Sequence, residues 1–148
     1  MGVVADAVLA AGGKVVGVIP QSLVEHELAH RGLTELLIVG SMHERKACMA
    51  ERADAFLSLP GGFGTLEEFC EVLTWGQLGL HAKPCGLLNT AGYFDALLAM
   101  FDRTVADRLL STANRSMVLT ANEPAQVLDL LTHYQPLPTE KWLDRSTT

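Results

Sequence analysis

The segment Leu59-Pro60-Gly61-Gly62-Phe63-Gly64-Thr65-Leu66-Glu67-Glu68 decides the fold of this chain. An apolar run over 55–59 leads into it, three glycines follow within four residues, and a helical pattern begins at Thr65. A strand, a glycine-rich loop and a helix in this order present backbone N–H groups and a helix N-terminus to an anion, usually a phosphate. The segment therefore predicts an α/β fold with an anion site at the end of a strand.

The loop glycines Gly61, Gly62 and Gly64 are expected to let the backbone approach a ligand closely and to adopt positive φ where needed. The hydroxyl of Thr65 is expected to cap the helix or to bind a phosphate oxygen. No lysine follows the last glycine, and the G-x-G-x-x-G spacing is missing, so neither a Walker loop nor a dinucleotide fingerprint is indicated. A purely structural strand-to-helix turn stays open as the alternative.

Two carboxylates, Glu67 and Glu68, are predicted to lie in the first turn of this helix. Acidic residues there favour the helix dipole and can simply face solvent, which is the alternative for each of them. Adjacent helical residues point about 100° apart, so both are not expected to face one ligand equally. A carboxylate gains near a sugar that becomes oxocarbenium-like, as in cleavage of a glycosidic bond. The pair therefore favours chemistry on a phosphorylated sugar.

A second group of polar residues, Met42-His43-Glu44-Arg45-Lys46, opens another predicted helix. Ser41 is its expected N-cap, and Glu44 completes a capping box. Arg45 offers a planar fork for a phosphate or carboxylate, and Lys46 a point charge. Cations early in a helix oppose its dipole, so an acidic ligand or partner is predicted, with a solvated helix face as the alternative.

The amino-acid composition of the chain excludes several classes of function. The net charge is −6 over 148 residues and basic residues are scattered, so no nucleic-acid polymer is expected as a partner. No apolar run is long enough to span a bilayer and no signal peptide is seen, so no membrane partner is expected. The odd number of cysteines, Cys48, Cys70 and Cys85, predicts reduced core thiols in a cytoplasmic protein. No Cys/His spacing indicates a metal site.

Strands and helices alternate along the chain. Strands are predicted at 14–19, 35–39, 55–59, 85–88 and 116–120, and helices at 1–11, 42–53, 65–78, 93–110 and 123–132. This order predicts a doubly wound parallel sheet with helices on both faces and ligands beyond the carboxyl ends of the strands. We expect a single domain over residues 1–134 and a loosely ordered tail over 135–148.

The motifs also resemble one known family. Residues 60–68 fit the PGGxGTxxE signature of the LONELY GUY (LOG) family, whose members are cytokinin riboside 5′-monophosphate phosphoribohydrolases, and residues 41–46 resemble its MHxRK segment. Residues 17–20 and 73–79, with His81 and Lys83-Pro84, look like further family stretches. The similarity runs from Met1 to about Val127.

The resemblance implies a Rossmann-like hydrolase of cytokinin biosynthesis that acts on a nucleoside 5′-monophosphate. Its substrate would be adenosine 5′-monophosphate or an N6-modified form of it, cleaved at the N-glycosidic bond to free base (cytokinin or adenine) and ribose 5-phosphate. The resemblance implies a homodimer, and it implies neither a cofactor nor a metal. Family members carry about two strands and a helix before this point, so we expect the chain to begin inside the family domain, N-terminally truncated.

The family's functional residues map onto particular positions of this chain. Glu68 would be the catalytic carboxylate, Arg45 with Lys46 would stabilise the phosphate or the departing base, and Glu67 would contact the ribose. The implied substrate-binding set is Glu27, Arg45, Lys46, Gly61, Gly62, Phe63, Gly64, Thr65, Leu66, Glu67 and Thr74. The alternative is a non-catalytic nucleotide-binding or carrier module, and a weaker third reading is an interaction subunit with a decayed site. Glu68 together with Arg45 favours the enzyme, since a binder gains little from a carboxylate near phosphate.

Overall fold

A computed structural model describes residues 1–24, 30 and 32–136. Glu27 and the tail residues 137–148 therefore lie outside the described residues. The chain divides into two compact units, one over residues 1–53 and one that begins at Asp54. Each unit is described by itself, and the expectation of a single domain over residues 1–134 stays a prediction.

Helices and strands alternate in both units. The first unit contains α1 (Gly2–Ala10), β1 (Val16–Pro20), α2 (Gln21–Val24), β2 (Glu35–Val39) and α3 (Met42–Arg52). The second contains β3 (Phe56–Ser58), α4 (Phe63–Gln77), β4 (Cys85–Leu88), a 3-10 turn (Thr90–Gly92), α5 (Asp95–Ala106), α6 (Thr112–Ser116), β5 (Val118–Ala121) and α7 (Pro124–Thr132). The predicted α/β class is confirmed, and β2 and β4 have the predicted bounds.

The two strands of the first unit run parallel, with Val16 opposite Glu35 and Pro20 opposite Val39. Helix α3 follows β2 through a cap that the sequence signalled. The Ser41 hydroxyl accepts a hydrogen bond from the Glu44 N–H at 3.1 Å, which confirms Ser41 as the N-cap. The Glu44 carboxylate accepts from the Gly40 N–H at 2.6 Å, so the returning bond reaches one residue further back than a capping box requires.

The second unit contains a parallel sheet in the order β3-β4-β5. One face of β4 carries Cys85 and Leu87, which are buried together with Phe69 of α4 and with Phe94 just before α5. Successive residues of a strand point to opposite faces, so Gly86 faces the other way.

That opposite face of β4 lies against α7. A Cβ on Gly86 would lie 3.2 Å from side-chain carbons of both Val127 and Leu131 of that helix. Val127 is fully buried there. Helices therefore cover both faces of the sheet in the second unit, as the alternating pattern predicted.

Several predicted boundaries are wrong. β1 spans Val16–Pro20 and not 14–19, and α5 spans Asp95–Ala106 and not 93–110. Helix α4 begins at Phe63, with Gly62 as its N-cap in an extended conformation, and not at Thr65. Glu67 and Glu68 consequently lie in the second turn of α4 and not in the first. The sequence also missed α6, whose N-cap Ser111 accepts from the Asn114 N–H at 3.0 Å, so β5 begins at Val118 and not at 116.

Among the described residues, none of the helices combines the length and the apolar character that a bilayer crossing requires.

Candidate active site

The glycines of the loop matter for the space that their missing side chains leave, and not for unusual backbone angles. None of Gly61, Gly62 and Gly64 has a positive φ, so this loop does not need the left-handed conformation that glycine would allow. A Cβ on Gly61 would overlap the Thr65 hydroxyl, whereas Cβ atoms on Gly62 and Gly64 would meet open space. Gly61 therefore permits the close approach of loop and helix, and the other two leave one side of the loop uncovered.

The N-terminus of α4 carries no side-chain cap. The first bond of the helix runs from the Leu66 N–H to the Gly62 carbonyl at 3.2 Å, so the amides of Phe63, Gly64 and Thr65 precede it. Such amides and the helix dipole attract an anion by about 0.3–1 kcal/mol per charge. The prediction of Thr65 as the cap is wrong, because Gly62 takes that position. Phe63, the first residue of α4, is 93% exposed.

The two glutamates of α4 lie on different sides of the helix. Glu68 follows Thr65 by three residues and points about 60° away from it, whereas Glu67 points about 160° away. Glu68 is half-buried and Glu67 is exposed. Glu67 faces Cys70, an exposed residue whose thiol is partly covered; this partial burial first, and the Glu67 carboxylate second, raise its pKa. Helix geometry therefore puts Glu68, and not Glu67, on the Thr65 side of α4.

A contact of the loop that sequence reasoning missed comes from Tyr93. Its hydroxyl donates a hydrogen bond to the Gly61 carbonyl at 2.9 Å. The two residues are 32 positions apart. No local pattern could have signalled this bond, because it depends on how the turn after β4 packs beside the turn after β3.

Arg45 and Lys46 lie in the first unit, on α3, and both are half-buried. The Nε of Arg45 donates to the Val18 carbonyl of β1 at 3.2 Å. The Val15 carbonyl accepts from the Glu35 N–H and so points towards β2. Carbonyls alternate along a strand, so the Val18 carbonyl, three residues on, points to the side of β1 away from β2.

Thr74 lies on α4 about 14 Å along the helix axis from Thr65 and about 180° around it. Its hydroxyl donates to the Cys70 carbonyl at 2.8 Å. It also lines a mainly apolar cavity of about 250 Å³ between α4, α5 and α6, with Leu73 and Phe101. Glu27 lies outside the described residues.

His81 is held as a neutral imidazole beside α4. Its Nε2 lies 2.7 Å from the Val72 carbonyl and its Nδ1 accepts from the Lys83 N–H at 3.1 Å, which fixes the proton on Nε2. Burial lowers its pKa below the usual 6.5, and the charge of Lys83 adds to this, against the opposing effect of the Val72 carbonyl.

The three cysteines are free thiols in different surroundings. Cys85 is buried, which raises its pKa to about 12, while Cys48 is half-buried and Cys70 is exposed. The expectation of core thiols is therefore right for Cys85 and wrong for Cys70. Within the described ranges, no three His, Cys, Asp or Glu side chains cluster as they would around a metal ion.

The chain is similar in amino-acid sequence to known proteins. Residues 1–131 match the sequence model of a family described as "Possible lysine decarboxylase". The chain is 50% identical over 137 residues to a probable cytokinin riboside 5′-monophosphate phosphoribohydrolase of Oryza sativa subsp. japonica, covering 93% of this chain and 60% of that protein. It is 45% identical over 136 residues to a cytokinin riboside 5′-monophosphate phosphoribohydrolase of Arabidopsis thaliana, covering 92% and 64%. The chain thus spans less than two thirds of the length of either relative.

Proposed function

We propose that this chain is an N-glycosidic hydrolase, on the premise that it belongs to the LONELY GUY family. The sequence model of that family is the one described as possible lysine decarboxylase. Its substrate would be adenosine 5′-monophosphate, plain or N6-modified, and its products the free base and ribose 5-phosphate. The observation that carries this proposal is the N-terminus of α4 behind the glycine loop, which has no side-chain cap, with Glu68 on the Thr65 side. The names of the Oryza and Arabidopsis relatives support the choice of substrate.

In the proposed reaction, the 5′-phosphate binds at the amides of the glycine loop and of the first turn of α4. The bond between ribose C1′ and the base nitrogen breaks, and its electron pair leaves with the base. The oxygen of a water molecule bonds to C1′, and a proton from that water ends on the base. The Glu68 carboxylate stabilises the cationic sugar or accepts the water proton on its way.

The remaining site residues keep the roles that the resemblance implies, as predictions. Arg45, helped by Lys46, would neutralise the phosphate or the departing base, because a guanidinium keeps its charge at any physiological pH. Glu67 would contact the ribose hydroxyls. The other members of the proposed substrate-binding set are Glu27, Phe63, Leu66 and Thr74.

The assembly and the compartment are proposals as well. We expect a homodimer in which the motif helix α4 lies near the interface, and a cytoplasmic location, where the three free thiols would stay reduced. Light scattering after size exclusion measures the molecular mass of the particle and tests the dimer directly.

The test of the function uses the purified chain with adenosine monophosphate and with N6-isopentenyladenosine monophosphate. Reversed-phase chromatography is expected to show free base accumulating with time, and the matching nucleosides without phosphate are expected to react much more slowly. Nucleotide binding without release of base would instead support a non-catalytic nucleotide-binding or carrier module. Neither binding nor release would support an interaction subunit whose site has decayed.

A further inference from the structure

The hydrogen bond from the Tyr93 hydroxyl to the Gly61 carbonyl joins two loops that follow neighbouring strands. We propose that Tyr93 is a positioning residue that locks the peptide between Gly61 and Gly62 in its anion-binding orientation. This inference rests on the proposed function, in which the glycine loop holds the 5′-phosphate. Tyr93 acts through the loop, without touching the reacting atoms.

The planarity of the peptide bond gives the hydroxyl its effect. In a trans peptide the carbonyl of one residue and the N–H of the next point in opposite directions. A Gly61 carbonyl held towards Tyr93 therefore turns the Gly62 N–H to the opposite side.

The Gly61–Gly62 peptide lacks the usual steric restraint against rotation, because neither flanking residue has a Cβ. A flipped peptide would present the carbonyl oxygen where the N–H had been, and a carbonyl oxygen repels a phosphate. Gly61 itself cannot be replaced by a stiffer residue, since a Cβ there would overlap the Thr65 hydroxyl. A bond from outside the loop is thus the available way to fix the peptide.

Tyr93 is well placed to supply that bond because the backbone around it is held firmly. Asn89 at the end of β4 is buried, and its Oδ1 accepts from the Phe94 N–H at 2.6 Å. Its Nδ2 donates to the Asp95 carboxylate at 2.8 Å. The Tyr93 ring also meets the buried Phe94 ring edge-on, with 5.0 Å between centroids.

The turn between Asn89 and Tyr93 is equally restricted. Ala91 and Gly92 both lie in the left-handed region, with φ of 54° and 70°. A Cβ on Gly92 would come 2.5 Å from the Asp95 carboxylate, so glycine is required there. Tyr93 therefore projects from a fixed turn on the buried β4, and the loop at Gly61 is the more adaptable partner.

The decisive variant is Tyr93→Phe, which removes the hydroxyl and keeps the ring. Isothermal titration is expected to show affinity for adenosine monophosphate about 3-fold to 10-fold weaker than in the wild type, as for one lost hydrogen bond. Affinity for adenosine, which lacks the phosphate, is expected to stay unchanged. In turnover experiments KM should rise with little change in kcat. Thr132→Val, which removes another hydroxyl-to-carbonyl bond on an exposed helix end, is the matched control and should change none of these.

A merely structural role would weaken both ligands equally, and that result would overturn the proposal, as would unchanged affinity for both. A ligand-free measurement separates this inference from the proposed function. The Gly62 amide is expected to exchange hydrogen faster and to shift its NMR line in Tyr93→Phe, because the peptide is released. If the wild type binds no nucleotide, the proposed function fails, and an unchanged Gly62 amide then overturns the peptide lock on its own.

Discussion

Arg45 Nε donates a hydrogen bond to the carbonyl oxygen of Val18 at 3.2 Å, so this side chain binds the strand backbone as well as carrying charge. We predict that Arg45→Lys lowers turnover by at least about tenfold, because an ammonium lacks the planar fork that can bind a backbone carbonyl and an anion together. The free energy of unfolding should fall by about 0.5–1.5 kcal/mol, the net value of one such bond. Steady-state kinetics and urea unfolding measure the two effects.

Arg52→Lys is the control for that variant. Arg52 lies on the same helix, is half exposed, and forms an ion pair with Glu35 at 3.5 Å. Equal behaviour of the two lysine variants would show that Arg45 has no particular role.

The two glutamates of α4 should differ sharply in their contribution to turnover. Glu68→Gln removes the negative charge on the Thr65 side of the helix, and we expect kcat to fall about 10²-fold to 10⁴-fold with nucleotide binding retained. Glu67→Gln makes the same chemical change on the exposed side and should lower kcat by less than about tenfold. Release of free base from the nucleotide, measured at saturating substrate, compares them. A larger loss in Glu67→Gln would reverse the assignment.

Gly61→Ala should distort the loop through overlap with Thr65. We expect the unfolding free energy to fall by about 1–3 kcal/mol, the usual range for overpacking, and nucleotide affinity to fall with it. Gly64→Ala adds the same methyl group into open space inside α4 and should leave stability unchanged or raise it by up to about 1 kcal/mol, because alanine is the better helix former.

The double variant Gly61→Ala with Thr65→Ala tests the reason given for that loss. Removing the threonine hydroxyl makes room for the new methyl group, so the two changes should destabilise less together than the sum of their separate effects. Additive losses in urea unfolding would mean that the clash with Thr65 is not the cause.

His81 should make the second unit sensitive to acid. Its pKa is lowered in the fold, so the folded chain binds fewer protons than the unfolded chain. Its neutral form is fully compatible with the fold above the unfolded pKa of about 6.5, and stability is lost as the pH falls through that value towards the folded pKa. His81→Gln, whose amide can still donate to the Val72 carbonyl, should show a smaller difference in urea midpoint between about pH 7.5 and about pH 5.5. His133→Gln alters an exposed histidine and should keep the full difference.

Cys85 should resist alkylation as long as the fold is intact. At about pH 8 a thiol with a pKa near 12 is ionised in only about one molecule in ten thousand, and burial also excludes the reagent. Mass spectrometry after brief treatment with N-ethylmaleimide is expected to find the label on Cys70 and none on Cys85. Unfolding in urea before treatment should expose Cys85 to the reagent. Label on Cys85 in the native chain would mean that β4 opens readily.

The elements that the sequence predicted best are those with strong local signals. β2 and β4 are short apolar runs, and α3 has a serine cap with a glutamate three residues later. The sequence predicts the start of α4 two residues too late, because glycines are poor helix formers. In the first helical turn the N–H groups make no intrahelical bond, so glycine is tolerated there and Gly62 itself can cap.

In the candidate site, too, the sequence could identify residues that lie in one local motif but not contacts that depend on the tertiary fold. The glycine loop and Glu68 stand together in one contiguous motif, so the sequence could identify them. The bonds from Tyr93 to Gly61 and from Arg45 to Val18 join residues 32 and 27 positions apart. Which backbone carbonyl such a side chain reaches depends on strand pairing and helix docking, which no local pattern specifies.

The hydrogen bond between Tyr93 and Gly61 also indicates at which stage of folding the glycine loop acquires its shape. In the sequence, Gly61 precedes β4 and Tyr93 follows it. The parallel strands β3, β4 and β5 are connected only through helical crossovers. The bond needs the loops after β3 and β4 to lie side by side, so the loop acquires its final shape only once these two strands have paired. A phosphate ligand that recognises this shape would bind the completed second unit and not a partly folded chain. Phosphate binding would then report, in a fresh preparation, the fraction of molecules that have finished folding.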